Sequence, residues 1–76
     1  MGRSDEVTAF LKSIQSEKGK QIQCMVTPLQ THTGDVQINV YPVIGDAGSS
    51  RIFNLHDGLT AIMRQAIREW FEPFLS

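Results

Sequence analysis

The last third of this chain carries an apolar stripe that is rich for a protein of its length. Leu59, Ile62, Met63, Ala66, Ile67, Trp70, Phe71 and Phe74 recur at steps of three and four, over one broad face of a helix. Trp70, Phe71 and Phe74 crowd the end of it. A domain this small buries only about 60% of the surface its unfolded chain exposes. The stripe therefore exceeds what one small core needs. Its middle is expected to serve the core, and its aromatic end to meet another chain.

The 76 residues make a single domain, 1–76, with no room for a second core. Apolar residues at 41% and charged residues at 20% are ordinary for a folded globular chain. Seven basic residues against eight acidic give a formal charge of −1, which removes any whole-chain attraction to nucleic acid. Cys24 stands alone, so no internal disulfide forms, and a reducing cytoplasm is the expected location. Met1–Glu6 has no apolar run, which argues against a signal peptide, and Glu6 stands where N-myristoylation expects Ser or Thr. No apolar run approaches the roughly 20 residues of a membrane span.

The pattern then divides the chain. Ser4 or Asp5 is expected to cap a first helix, whose face is Val7, Phe10, Leu11 and Ile14, and which fades over Ser16–Gly19. The period changes to two at Ile22, Cys24 and Val26, a half-buried strand that Pro28 is expected to end. Val36, Ile38 and Val40 repeat the pattern up to Pro42, and a turn at Thr33-Gly34-Asp35 makes the pair an antiparallel hairpin. Gly45–Ser50 reads as a flexible turn and Arg51–Leu55 as a third strand. Asp57 is the expected cap of the last helix, starting near Gly58 or Leu59, and Pro73 must kink or end it. The expected fold is α+β: an α-β-β-β-α two-layer sandwich with both helices on one face of a three-stranded antiparallel sheet.

Candidate chemistry is sparse. His32 and His56 are the natural charge switches near neutral pH, and a catalytic reading uses His56 with Asp57 or His32. No Ser or Cys stands at a spacing that supplies their nucleophile, so both read as surface or capping residues. Cys24 alternates with Ile22 and Val26 and points inward as a small core residue. One Cys and two distant His do not make a structural zinc site, the acids have no calcium-loop spacing, and Gly45 and Gly48 lack a phosphate-loop context. Neither metal nor cofactor is expected.

The α-β-β-β-α order resembles that of the double-stranded-RNA-binding domain, which is also near this length. That resemblance implies a duplex-RNA partner, a basic cluster opening the second helix, and a minor-groove contact in the loop that here holds His32. The cluster's place is taken by Asp57-Gly58-Leu59-Thr60, without a lysine. Without phosphate contacts the counterion-release drive is small, and nucleic acid is not the expected partner.

Two surfaces remain. Arg64 and Arg68 share a face of the last helix, where they can grip an acidic partner unless Glu72 neutralises Arg68. The open side of the sheet collects Gln21, Gln23, Met25, Thr27, Gln37, Asn39 and Tyr41, with Ile52 or Phe53 added by the third strand. It is almost free of charge, whereas a solvated sheet usually carries Lys and Glu. The expectation is a non-catalytic adaptor, inhibitor or other regulatory protein acting by protein contact as a homodimer. Its contact residues are Trp70, Phe71, Phe74, Arg64, Arg68, Tyr41 and Met25.

Overall fold

A computed structural model describes residues 3–32, 34, 36–44 and 47–75. Helix α1 spans Arg3–Lys18. Strand β1 covers Gln23–Gln30, β2 Val36–Ile44, β3 Ala47–Gly48 and β4 Arg51–Asn54. Helix α2 runs over Ala61–Phe71 and continues as a 3₁₀ turn, Glu72–Leu75. The expected order of two helices around a three-stranded antiparallel meander is present, with β3 as a two-residue addition.

Helix α1 begins before its expected caps. Ser4 and Asp5 lie inside the first turn, and the Ser4 carbonyl accepts a bond from Thr8 Oγ1 at 2.8 Å. Its C-terminal end is built as the glycine predicts. Gly19 takes φ +66°, its N–H bonds to Ser16 O, and the Lys20 N–H reaches Gln15 O at 3.1 Å. These paired bonds satisfy carbonyls that the last turn leaves open. Gln15, only 7% exposed, then accepts the Ile22 N–H on its side-chain oxygen at 3.0 Å, tying the end of α1 to the chain entering β1.

The central strand is β2, which pairs antiparallel with β1, β3 and β4. Neither Pro28 nor Pro42 ends its strand as expected; both lie inside. The Leu55 N–H donates to Val36 O at 2.9 Å, so the Val36 backbone faces the β4 side, as do Ile38, Val40 and Pro42 by alternation. Their partners in β1 are Gln30, Pro28, Val26 and Cys24, which turn their backbone groups to the free edge. Both prolines fall in this class. The β1–β2 ladder thus loses no donor, and on the other side of β2 the pairing stops at Val40 and resumes at Val43, across Pro42. The segment expected to be only a turn supplies β3 at Ala47–Gly48; Gly45, Asp46, Thr33 and Asp35 lie outside the described residues.

One face of the sheet contributes Ile38, Val40 and Phe53 to the core. Val7, Leu11 and Ile14 of α1, with Ile67 and Phe71 of α2, cover it, and Leu55 and Leu75 close it. The last helix starts later than expected because Thr60, not Asp57, is its cap. Thr60 is extended, and its hydroxyl accepts the Met63 N–H at 3.2 Å. Gly58 instead turns the chain at φ +84°, with its N–H on Leu55 O. Pro73 ends the α-helix by tightening it into the 3₁₀ turn.

Candidate interaction surface

Strand alternation puts Gln23, Met25, Thr27 and Leu29 on the face of β1 away from the helices. Register then aligns Met25 with Tyr41, Thr27 with Asn39 and Ile52, and Leu29 with Gln37. Ile52, not Phe53, is the third strand's member, since Phe53 is buried in the core. Leu29, expected in a loop, belongs to this face because β1 runs on through Pro28. Met25 is 54% exposed, Ile52 53% and Leu29 39%. None of the residues named on this face is charged. Apolar exposure without charge is unusual for a solvated sheet face, and it matches the composition found at the centre of protein interfaces.

The aromatic end of α2 is less available than its sequence suggests. Phe71 is fully buried at 0% exposure and belongs to the core, so it cannot contact a partner. The 3₁₀ turn folds the end of the chain back over the core, which seats Leu75 there as well. Trp70 is half-buried between Phe53, at 5.6 Å between ring centroids, and Phe74, at 5.1 Å, both edge to face. Such pairs are a favoured aromatic arrangement. Ile62, expected in the core, is 81% exposed. It precedes Ile67 by five residues, about 140° around the helix, and so points away from the buried side.

Arg68 is already engaged. Its guanidinium bonds Glu17 Oε2 of α1 at 2.8 Å and lies 5.7 Å from the Phe10 ring centroid. Glu72, the expected neutraliser of Arg68, takes Lys18 at 3.0 Å. The bond from Arg68 holds the Glu17 carboxyl below the ordinary carboxylate range, aided by the nearby charges of Arg68 and Lys18. Arg64 is exposed, whereas Arg68 is partly buried against α1.

Cys24 is half-buried, and burial pushes its thiol upward, against a smaller opposing effect of a backbone bond from Tyr41. His32 and His56 are exposed; the His56 N–H donates to Asn54 Oδ1 at 2.9 Å, which shapes the turn into Gly58. His56, Asp57, Gly58, Thr60 and Ile62 border a shallow surface depression. Among the described residues no three His, Cys, Asp or Glu side chains gather as metal ligands, and no helix is long and apolar enough to cross a membrane.

Comparison with known protein families, with characterised proteins and with solved structures finds no match.

Proposed function

We propose that this chain is a small non-catalytic regulatory domain that works by protein contact, as a homodimer joined through its open sheet face. The observation that carries the reading is the uncharged face on which Met25, Leu29 and Ile52 stand exposed around Tyr41. Water contact with these side chains is unfavourable by about 25 cal/mol per Å² of apolar area, and a second copy of the same face removes it for both subunits at once. The end of α2 is the weaker alternative, because Phe71 is buried and Trp70 already lies between two rings. The lone, half-buried Cys24 suits a reducing cytoplasm.

Nucleic acid does not fit this reading. The residues ahead of α2 include Asp57, Gly58 and Thr60, and that helix offers no cation of its own to grip phosphates before Arg64. Light scattering after gel filtration tests the proposal. A mass of about twice 8.5 kDa is expected, whereas a monomer at the highest attainable concentration contradicts it.

A further inference from the structure

We propose that the cleft between α1 and β1 is a docking site for an extended peptide of a partner protein, which joins the sheet as a strand beside β1 and presents a carboxylate to Lys12. This surface is separate from the open sheet face, and the inference does not depend on dimerisation.

The edge of β1 has an unusual donor pattern. Cys24, Val26, Pro28 and Gln30 turn their backbone groups outward, but Pro28 has no N–H. Just before the strand, the Ile22 N–H is already held by Gln15 Oε1. The donors left facing out beside the cleft are those of Cys24 and Val26, flanked on both sides by positions that offer none. Edge strands are commonly guarded by a lysine, another charge or a proline against casual pairing, and Pro28 guards only the far part of this edge. Gln23–Gln30 contains no charged residue at all. The edge is thus open over a short, bounded stretch, which suits pairing with a limited segment.

Alongside that stretch lies a cleft of about 490 Å³. Leu11, Lys12 and Gln15 of α1 form one wall, and Ile22, Cys24 and Val26 the other. In an added strand every second side chain points to one face of the sheet, so alternate residues of the peptide enter this cleft. Leu11, Ile22, Cys24 and Val26 give the cleft an apolar strip, which Thr8, Lys12, Gln15, Ser16 and Gln21 border with polar groups. Main-chain bonds to Cys24 and Val26 would supply affinity, and the cleft would select side chains that set an apolar part on Ile22 and Val26 and a polar part against Thr8, Lys12 and Gln15.

Charge identifies the remaining feature of the partner. Lys12 is the only charged residue in the cleft wall, is exposed, and makes no ion pair among the described residues. A cation beside an unpaired backbone edge favours a carboxylate, from an acidic side chain or from a chain end. A second copy of this chain fits the cleft poorly. Two paired β1 strands lie about 4.8 Å apart, whereas packed helices need roughly 8–10 Å, and each copy brings an α1 along that edge. An extended segment without its own covering helix meets no such obstacle.

A displayed library of random ten-residue peptides, selected against the full chain, tests this directly. Enriched peptides are expected to alternate in pattern along the strand and to carry a carboxylate at the position facing Lys12. Fluorescence anisotropy with a synthesised, enriched peptide should show binding that Lys12→Glu weakens by about tenfold or more. Amide exchange followed by NMR should show new protection at Cys24 and Val26 on peptide addition. Ile52→Lys, on the open face, should leave the peptide affinity unchanged, so loss of the dimer and loss of the peptide site are separable results. The proposal is overturned if no peptide is enriched, if Lys12→Glu has no effect, or if the bound peptide protects amides elsewhere. It is also overturned if Cys24 and Val26 are protected by self-association alone.

Discussion

Met25 of β1 and Tyr41 of β2 stand directly opposite one another on the sheet face that the helices leave open. Their register makes a flexible thioether and a phenol ring direct cross-strand neighbours on one face. Residues of these two kinds are enriched at protein interfaces, and charge is depleted there. Ile52, at the far side of β2, extends the same uncharged area.

Burial separates two members of the α2 stripe. Phe71→Ala should cost about 3–5 kcal/mol, because it empties a fully enclosed site. Ile62→Ala should change stability by no more than about 0.5 kcal/mol, since Ile62 faces solvent. Urea denaturation of the two variants decides the point. Similar losses from both would show that Ile62 is packed.

The start of α2 makes a second contrast. Thr60→Ala removes the acceptor for the Met63 N–H and should cost about 1 kcal/mol. Asp57→Ala leaves that bond intact and should cost less. Thermal unfolding followed by circular dichroism measures both, and a larger loss for Asp57→Ala would restore Asp57 as the cap.

Much of this architecture was legible in the sequence because it depends on local periodicity. Val7, Leu11 and Ile14, and then Ile38 and Val40, announced their helix and strand through spacing alone. The prolines misled because their effect depends on which side of a strand the missing N–H would face. That is a property of the register, and Pro28 and Pro42 both fall where the β1–β2 ladder needs no donor. Phe71 misled for a related reason: helical spacing assigns it to a stripe, but only the tertiary path of the 3₁₀ turn decides which part of the stripe is enclosed. Alternation alone marks Met25 and Tyr41, while Leu29 escapes it because Pro28 reads as the end of a strand that in fact continues. Gln15 gave no signal, since its role appears only when the chain after Gly19 returns beside it.

Cys24 should react slowly in the native protein. Its partial burial disfavours the thiolate, which is the reactive form. A thiol reagent at mildly alkaline pH should label the folded chain more slowly than the urea-unfolded chain. Equal rates would place the sulfur in open solvent.

The Glu17–Arg68 pair links stability to acid. The folded carboxyl titrates below its ordinary value of about 4.3, so its contribution is present above that pH and is lost as pH falls through the lowered value. Solvent screens this exposed pair and keeps the effect small. Urea midpoints at pH 6 and pH 3 should therefore fall slightly less for Glu17→Gln than for the native chain. An identical fall in both would show that the pair adds nothing to stability.

Sedimentation equilibrium of the native chain beside the Met25→Lys, Ile52→Lys double variant tests the central claim most directly. Both changes fall on exposed side chains of the open sheet face, so the fold should persist, as circular dichroism can verify. The native chain should sediment at about twice 8.5 kDa and the double variant at about 8.5 kDa. A native monomer, or a dimer that the double variant preserves, would contradict the assignment of this face as the interface.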